Sequence, residues 1–587
     1  MKQFFKMMFA STLAVLVATG IIISIGLFVF IGIVASVGSQ PSYTPPSNTV
    51  FKLSLSGSMT DIAEDNPLLA LMGETVSQMS LEDVVKSIRA AKNNPNINGI
   101  YIESGVFYTG TANIDVIRRE LLAFKESGKF IVAYADLGYT QGAYYLCSVA
   151  DKVFMNPEAV VEISGMATQT TFYKALLDKI GVEMQIFKVG TYKSYVEPFM
   201  LDKLSDENRE QLTSYLGSIW KNISNGIAES RNISVDDINR FADKGLFISP
   251  AKTAVEYKLV DELNYKSEVE EYVMELAGQK GDKLETAGIN KLKNIKEKAN
   301  NHANQIAVLY AEGEIQAEVA SYSSTKTITE KLTAELIKLR KNKDIKAVVL
   351  RVNSPGGSAF VSEQIWHEIM KLKEEKPIVV SMGSVAASGG YYISCAANKI
   401  IAEKNTVTGS IGVFGMFPNA SGLYKKLDVT TDVVKTNHFG DFGDLSRPMR
   451  EDEKALMQSF VERSYDTFLT RCADGRGMTK EAIDKVGQGR VWTGEQALEN
   501  GLVDELGGLD KALEVAAGLA NIDQYKVVNV YGSNDFFTDF LEKQLNELKL
   551  SIVKNMLGEE FEHYKKLNEI RSSTGILARL PFDIEPL

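Results

Sequence analysis

Cysteine and histidine are scarce in this chain of 587 residues, which contains three cysteines and four histidines. The cysteines, Cys147, Cys395 and Cys472, lie far apart, and no Cys-x-x-Cys pair occurs. A disulfide framework or a zinc site is therefore not expected, and buried small apolar side chains are the simpler interpretation. The Gly-x-Ser-x-Gly pattern found in many serine–histidine hydrolases is absent as well.

An excess of positive charge is also missing. Lysine and arginine together number 64 against 75 aspartates and glutamates, so the net charge is −11, and the chain has no basic block. Nucleic acid is therefore not an expected partner. With 45% hydrophobic and 24% charged residues the composition is ordinary for a globular protein, and the length fits several domains with ample cores.

Charge is absent altogether from a long N-terminal segment. No charged residue occurs between Lys6 and Lys52, and residues 7–37 are mostly apolar. This run exceeds both the roughly 20 residues of a membrane-spanning helix and the apolar part of a cleavable signal. We therefore expect residues 1–37 to form a retained anchor with its N-terminus in the cytoplasm, because Lys2 and Lys6 precede the run. Cleavage after Gly38 is the alternative.

The rest of the chain contains one pattern twice. The segment QGAYYLCSVADK at 141–152 matches SGGYYISCAANK at 388–399 at an offset of 247, and LVDEL at 259–263 recurs at 502–506. Self-similarity over this distance indicates a tandem duplication. In each copy short apolar runs alternate with longer helical stretches, which is typical of parallel strands joined by helices in an α/β layered fold.

These observations give a set of expected boundaries. A Pro-rich spacer follows the anchor, and a polar, Lys-rich linker separates the two copies. The last segment has helical spacing of apolar residues between Phe536 and Tyr564. The expected segments are the anchor 1–37, the spacer 38–49, the first copy 50–290, the linker 291–305, the second copy 306–530 and the helical tail 531–587.

Ser388 is the first candidate for chemistry. It follows the strand-like run Ile378–Val380 and precedes Gly389-Gly390 and a helix-compatible segment, so we expect it at a strand-to-helix junction. A second glycine pair, Gly356-Gly357, follows the apolar run 347–352 and offers backbone N–H groups suited to an oxyanion. A simple helix cap and a Pro-Gly turn are the alternative interpretations.

Comparison of the two copies supplies a second candidate. The first copy has Gln141 where the second has Ser388, and the second has Gly440 where the first has Lys193. This reciprocal loss is what a single site shared by both copies would leave behind. A lysine can replace histidine as a base if burial lowers its pKa, and the apolar and aromatic neighbours of Lys193 suit that role.

Several longer motifs extend this pattern to most of the chain: Asn353–Gly357, Ala387–Tyr392, Thr408–Gly412 and Gly190–Phe199. On these motifs the chain resembles the signal peptide peptidase A family, peptidase family S49, in its long tandem-duplicated form, within the ClpP/crotonase-like superfamily. The resemblance covers Val50 to about Val530. It implies a repeated ClpP/crotonase-like β-α-β fold.

The resemblance also implies residue roles. Ser388 would be the nucleophile and Lys193 the general base, while Ser410, which has Ile163 as its counterpart in the first copy, would orient the lysine. The oxyanion hole would combine the N–H of Gly389 with that of Gly356 or Gly357.

The family's activity would be that of a serine endopeptidase degrading hydrophobic signal peptides left in the membrane, without cofactor or metal. It would work as a bowl-shaped homotetramer anchored in the bacterial inner membrane, with its catalytic part in the periplasm.

Three alternatives remain open from the sequence. His438 lies two residues from the Gly440 position and could serve as the base instead of Lys193. Acyl-CoA hydratases share the superfamily fold and its oxyanion-stabilising glycine loops without needing a serine nucleophile. A membrane-tethered scaffold without turnover is the non-enzymatic alternative.

Overall fold

The computed structural model describes residues 42–62, 78–295, 302–317, 327–530 and 575–580, together with residues 6, 8, 12, 17–21 and 24. Most of the expected anchor, residues 1–37, lies outside this described part. Within the described part, no helix has the length and apolar character that crossing a bilayer requires.

The described chain contains both strands and helices. The strands are β1 Thr49–Thr60, β2 Gln78–Ser80, β3 Ile97–Tyr108, β4 Phe130–Ala135, β5 Gly138–Thr140, β6 Lys152–Met155, β7 Val160–Glu162, β8 Glu183–Val189, β9 Glu262–Leu263, β10 Thr286–Ala287, β11 Gln305–Glu312, β12 Glu314–Ile315, β13 Thr327–Ile328, β14 Ile345–Ser354, β15 Gly356–Ser358, β16 Ile378–Ala387, β17 Lys399–Ala402, β18 Val407–Gly409, β19 Val413–Asn419, β20 Val491–Thr493, β21 Glu505–Leu506, β22 Lys526–Val530 and β23 Gly575–Arg579. The helices are α1 Leu81–Asn93, α2 Thr111–Lys125, α3 Gln141–Cys147, α4 Lys174–Ile180, α5 Glu197–Met200, α6 Asp206–Arg231, α7 Val235–Asp243, α8 Lys252–Glu256, α9 Lys266–Ala277, α10 Ile289–Leu292, α11 Lys331–Lys341, α12 Ala359–Lys373, α13 Gly389–Ser394, α14 Ser421–Lys426, α15 Glu451–Arg476, α16 Lys480–Val486, α17 Gly494–Glu499 and α18 Leu509–Leu519.

The chain divides into two units. The first unit comprises residues 1–109, 117–162 and 248–298, and the second comprises 110–116, 163–247 and 299–587. Residues 163–247, which belong to the first copy in sequence, are therefore part of the second unit in space. The division cuts across the duplication, so one unit combines segments of both copies.

Apart from a separate parallel pair formed by β5 and β7, the first unit is built on one parallel sheet. Its strand order is β10-β1-β3-β4-β6-β9, with β2 paired to β1, and each neighbouring pair is parallel. Helical connections join the long strands, as parallel pairing requires. A core of buried side chains that includes Val50, Tyr101, Val132 and Val273 packs on this sheet.

The main sheet of the second unit contains that order and two further strands. The path β22-β11-β14-β16-β17-β21 corresponds to the first sheet, and β18 and β20 extend from the other edge of β16. Strand β14 is buried along nearly its whole length, as expected for a central parallel strand covered on both faces. Register confirms the equivalence, because Val132 pairs with Lys152 in the first unit and Val379 with Lys399 in the second, at the same offset of 247. The expected α/β duplication is confirmed.

A second sheet of this unit lies next to the candidate site. Its order is β13-β12-β15-β23-β19-β8, and β8 from the first copy pairs antiparallel with β19 from the second over seven residue pairs. This pairing fixes the loop that follows β8, which contains Lys193. The sheet thus joins both copies at the point where their candidate residues occur.

The tail contributes a strand to the same sheet. The helical stretch expected between Phe536 and Tyr564 lies outside the described residues and stays a prediction. Residues 575–579, placed in the same helical tail by the sequence, form β23 instead. Two neighbouring strands supply main-chain partners to this segment, and such tertiary pairing overrides a weak local preference.

Candidate active site

Ser388 lies at the junction that the sequence predicts, between the end of β16 and the start of α13. Its backbone has φ 55° and ψ −114°, a region that non-glycine residues seldom occupy. The Ser388 N–H donates to the carbonyl of Gly409 at 2.8 Å, which helps to hold this sharp turn. Strain of this kind persists only where the surroundings fix it, and here it fixes the position of the hydroxyl.

Lys193 meets Ser388 inside the second unit. Its Nζ lies 2.9 Å from the Ser388 Oγ, 3.1 Å from the Ser410 Oγ and 3.3 Å from the Ser410 carbonyl oxygen. All three side chains are fully buried. The structure therefore brings Lys193 next to Ser388, the two candidates from the comparison of the copies, and next to Ser410, which the family resemblance implied.

Burial determines the charge state of the lysine. Removal from water penalises the ammonium form, so the pKa of Lys193 lies well below its ordinary value. The hydrogen-bond partners of Nζ are two hydroxyls and a carbonyl, none of which carries a charge that would restore the ammonium. A neutral amine beside a serine hydroxyl can act as a base.

The loop that carries Lys193 is held by close backbone contact with the segment after α16. The Tyr192 N–H donates to the carbonyl of Gln488 at 2.8 Å. A Cβ on Gly489 would lie 2.6 Å from the backbone nitrogen of Lys193 and 2.7 Å from its Cα. Only glycine allows this approach, and Gly489 also has φ +80°.

A buried glutamine ties the same loop to α6. The amide nitrogen of Gln211 donates to the Tyr192 carbonyl at 3.0 Å and to Ser194 Oγ at 2.9 Å, and its oxygen accepts from the N–H of Val491 at 3.2 Å. Gln211 is fully buried, so each of these bonds forms away from water. Sequence reasoning did not identify Gln211 or Gly489, because their contacts with the loop have no local signal.

The glycine loop lies against the start of α13. Gly356 and Gly357 have φ values of 100° and 146°, and a Cβ on Gly356 would lie 2.7 Å from the Gly389 nitrogen. The Gly356 N–H donates to Ser354 Oγ at 3.2 Å. The backbones of Gly356 and Gly389, two of the expected oxyanion residues, are therefore adjacent. The Gly356 N–H is already hydrogen-bonded to Ser354 within its own loop.

His438 occupies a different environment from Lys193. Its side chain is 59% exposed and its ring pairs with Asp452. The nitrogen that contacts Ser388 Oγ is that of Lys193. The geometry therefore favours Lys193 over His438 as the partner of the serine.

In the opposite copy, the positions equivalent to Ser388, Ser410 and Lys193 lack this constellation. Gln141 begins α3 after the cap residue Thr140 and does not have a positive φ. Ile163, the first-copy counterpart of Ser410, is a fully buried apolar side chain. Gly440, the counterpart of Lys193, is exposed.

Comparisons with known proteins agree with this architecture. The sequence profile of peptidase family S49 matches residues 123–280 and again 370–523, and the profile of Clp protease matches residues 297–407. The two S49 matches reproduce the duplication. The Clp match covers the part of the second copy that contains the glycine loop and Ser388.

Individual proteins match over most of the chain. Protease 4 of Haemophilus influenzae is 36% identical over 526 residues, covering 86% of this chain and 84% of that protein. The chloroplastic serine protease SPPA of Arabidopsis thaliana is 32% identical, covering 86% of this chain and 74% of that protein. Among solved structures, a mutant ClpP1 from Listeria monocytogenes matches 35% of this chain and 94% of its own, with 18% identity and a TM-score of 0.24.

The family decides between the enzyme classes that the sequence left open. The S49 profile is that of a peptidase family, and the two relatives described above are named as proteases. An acyl-CoA-processing activity is therefore not supported. The α/β layers, the duplication and the profile matches point to the same group. The chain belongs to peptidase family S49 and is a serine protease of that family.

Proposed function

We propose that the chain is a Ser/Lys endopeptidase in which Ser388 is the nucleophile, Lys193 the general base and Ser410 the residue that orients the lysine amine. The observation that carries this proposal is the 2.9 Å distance between Lys193 Nζ and Ser388 Oγ, with both side chains fully buried. An amine kept neutral by burial can remove the hydroxyl proton as the oxygen attacks.

The reaction cycle follows from these contacts. Lys193 takes the Ser388 proton as Oγ attacks the peptide carbonyl carbon. The ammonium then donates its proton to the leaving nitrogen as the C–N bond breaks, which leaves an acyl-enzyme and a neutral lysine. Lys193 next takes a proton from water as the hydroxide attacks the acyl carbon. The bond between that carbon and Ser388 Oγ then breaks, and Oγ regains the proton from Lys193.

Ser410 acts on the charged form of the base. Its hydroxyl and carbonyl oxygens both lie within hydrogen-bond distance of Lys193 Nζ. When the lysine becomes an ammonium in the transition state, these oxygens accept hydrogen bonds from its N–H groups and stabilise the charge. Ser410 is thus a positioning residue, because it acts through Lys193.

The oxyanion hole combines two backbone N–H groups. Gly389 follows the nucleophile directly, and its nitrogen lies next to Gly356. Because the Gly356 N–H already donates to Ser354, we assign the second donor to Gly357. Donors fixed before the reaction stabilise the tetrahedral oxyanion without reorganisation.

Covalent labelling tests this proposal. A fluorophosphonate probe bonds to an activated serine, so we expect labelling of the wild-type chain and of His438→Ala. Ser388→Ala and Lys193→Met are expected to remain unlabelled while melting like folded proteins. Loss of label in His438→Ala alone would make the histidine the base, and labelling of no variant would indicate a scaffold without turnover.

The proposed substrates are hydrophobic signal peptides left in the bacterial inner membrane, and the proposed place is that membrane, with the protease domain in the periplasm. The support comes from the charge-free run of residues 7–37 behind Lys2 and Lys6, together with the resemblance of the motifs. An anchor of this kind keeps the protease at the surface where such peptides reside.

Two measurements test location and substrate. Deleting residues 2–37 is expected to move the chain from the membrane fraction to the soluble fraction. In proteoliposomes, wild-type chain is expected to degrade an embedded signal peptide and to spare a folded soluble protein, whereas Ser388→Ala degrades neither. Equal rates on the signal peptide and the folded protein would reject the proposed substrate class.

The resemblance also leads us to propose a homotetramer. One stretch of the second unit exposes an unusual number of large apolar side chains, a feature of association surfaces. These residues are Leu427, Val429, Val433, Val434, Phe439, Phe442 and Leu445. Light scattering in detergent is expected to give four chains per particle, and a monomer at micromolar concentration would contradict the proposal.

A further inference from the structure

The side chain of Arg490 lies between two aromatic rings. The central carbon of its guanidinium is 4.7 Å from the centre of the Tyr192 ring and 4.5 Å from the centre of the Trp492 ring. Each contact is attractive, because the cation meets the electron-rich face of a ring. Arginine suits this position since its guanidinium is planar and more weakly hydrated than an ammonium group.

Polar contacts hold the guanidinium in the same place. Its Nη1 donates to the Tyr192 hydroxyl at 3.2 Å, and its Nη2 lies 2.8 Å from one carboxylate oxygen of Glu210. The Tyr192 hydroxyl in turn donates to the other oxygen of Glu210 at 3.1 Å. Because Glu210 is 54% exposed, water screens the ion pair and it adds little. The contacts with Tyr192 and Trp492 therefore contribute most to the position of Arg490.

Tyr192 connects this stack to the general base. It directly precedes Lys193 in the chain, so the position of its ring limits how far the lysine backbone can move. The lysine Nζ must stay within hydrogen-bond distance of the Ser388 hydroxyl for proton transfer. The stack thus restrains the residue next to the base.

The main chain of Arg490 holds the other partner of the lysine amine. The Ser410 N–H donates to the Arg490 carbonyl at 2.7 Å, next to the antiparallel pair of Gly409 and Val491. Ser410 has φ 50°, a conformation that non-glycine residues seldom adopt without support from their surroundings. One residue therefore contacts the lysine loop through its side chain and Ser410 through its backbone.

We propose that Arg490 is a positioning residue for the protease reaction. Its stack with Tyr192 and Trp492 holds the loop that carries the base. Its backbone bond to Ser410 keeps that loop aligned with the hydroxyl that orients the amine. This inference rests on the proposed Ser/Lys mechanism, because Arg490 acts through Lys193 and Ser410.

The rate of covalent labelling tests this role, because a fluorophosphonate reports the activation of Ser388 directly. Arg490→Lys keeps the positive charge and the backbone but loses the planar group that packs between the rings. We expect labelling to be slower by about tenfold or more, since a displacement of about 1 Å can cost about 100-fold in rate. Arg463→Lys is the matched control and should label like the wild type, because its guanidinium lies 5.1 Å from the Phe460 ring on the exposed face of α15.

A second substitution separates positioning from a general loss of stability. Tyr192→Leu removes the same stack from the side of the lysine loop and should slow labelling to the same extent. In the double variant the two losses should not add, because both single changes remove one contact. Thermal melting shows that the compared variants are folded. With a fluorogenic peptide, kcat should fall in each variant while KM stays within about twofold.

Two results would overturn the inference. Labelling of Arg490→Lys at the wild-type rate would show that the planar guanidinium is not needed. Fully additive losses in the double variant would show that Arg490 acts independently of the lysine loop. Either result leaves the Ser/Lys mechanism standing, whereas a wild-type chain that is not labelled would reject the mechanism itself.

Discussion

The turn before α3 and the turn before α13 occupy equivalent places in the two copies but differ in chemistry. Their framework bonds are the same. The hydroxyl of Tyr144 donates to the Leu259 carbonyl in the first copy, and that of Tyr391 donates to the Leu502 carbonyl in the second. The fold therefore needs these bonds whether or not a nucleophile is present.

The difference between the turns concerns backbone strain. Ser388 has a positive φ, whereas its counterpart Gln141 does not. Both turns nevertheless connect a parallel strand to a short helix. The strained conformation is thus no requirement of the connection, which indicates that it is retained for the hydroxyl that it positions.

Substituting the two equivalent residues should give the largest contrast. Ser388→Ala is expected to lower kcat for peptide hydrolysis by about 10⁴-fold or more, because the nucleophile is lost. Gln141→Ala is expected to stay within about twofold of the wild type, the scale of an ordinary surface or framework change. Steady-state kinetics on one fluorogenic peptide measures both, and a large loss in Gln141→Ala would contradict the asymmetry between the copies.

Glycine substitutions separate close approach from backbone strain. Gly489→Ala is expected to reduce kcat/KM by about 100-fold, because a Cβ would displace the Lys193 backbone from the serine. Gly477, with φ +64° and nothing near its Cβ position, is the matched control. Gly477→Ala should cost about 1 kcal/mol of stability and leave the kinetics unchanged. Equal kinetic losses in the two variants would remove the argument from contact.

The residue that orients the lysine should show an intermediate effect. Ser410→Ala is expected to lower kcat by about tenfold to 100-fold with little change in KM, because the lost hydrogen bond matters most when Lys193 is charged. Ser394→Ala, which removes a buried hydroxyl that donates to Gly390, is the control and should affect stability alone. A rise in KM without a fall in kcat would assign Ser410 to substrate binding instead.

The buried lysine should make both activity and stability depend on pH. The pKa of Lys193 is lowered in the folded state, so the unfolded chain binds its proton more tightly and stability rises with pH between the lowered folded pKa and about 10.4. The free-energy difference between wild type and Lys193→Met is expected to change by about 1.4 kcal/mol per pH unit in that window.

Wild-type kcat/KM should fall as pH decreases through the lowered pKa of Lys193, because only the neutral amine can accept the serine proton. Denaturant titrations at several pH values and a pH–rate profile provide these measurements. A pH-independent stability difference between wild type and Lys193→Met would show that the amine is charged in the folded protein.

Loss of the two framework hydrogen bonds should have the smallest effect, and this effect should be equal in the two copies. Tyr144→Phe and Tyr391→Phe each remove one buried hydrogen bond and are expected to destabilise by about 1 kcal/mol, with unchanged kinetics. Thermal melting compares them directly. A kinetic defect confined to Tyr391→Phe would mean that the second framework also serves the chemistry.

The sequence predicted the fold and the central residues because the duplication supplies an internal comparison. Ser388 and Lys193 stand out through their missing counterparts, and the alternation of apolar runs indicates a parallel α/β sheet. Gln211 and Gly489 could not be found in this way, because their importance lies in contacts with a loop that local sequence does not reveal. The strand β23 escaped detection for a related reason: five residues carry little pattern of their own, and two distant strands create their conformation.

The separation of Lys193 and Ser388 along the chain also sets a minimum delay during synthesis. The two residues are 195 positions apart, so a ribosome adding about 5–20 residues per second finishes the lysine some 10–40 seconds before the serine. During that interval β8 has no β19 to pair with, and its open edge is exposed to aggregation. The nascent chain cannot hydrolyse neighbouring proteins during this interval, because its nucleophile has not been made. Its unpaired strand edge must meanwhile be shielded from association with other chains.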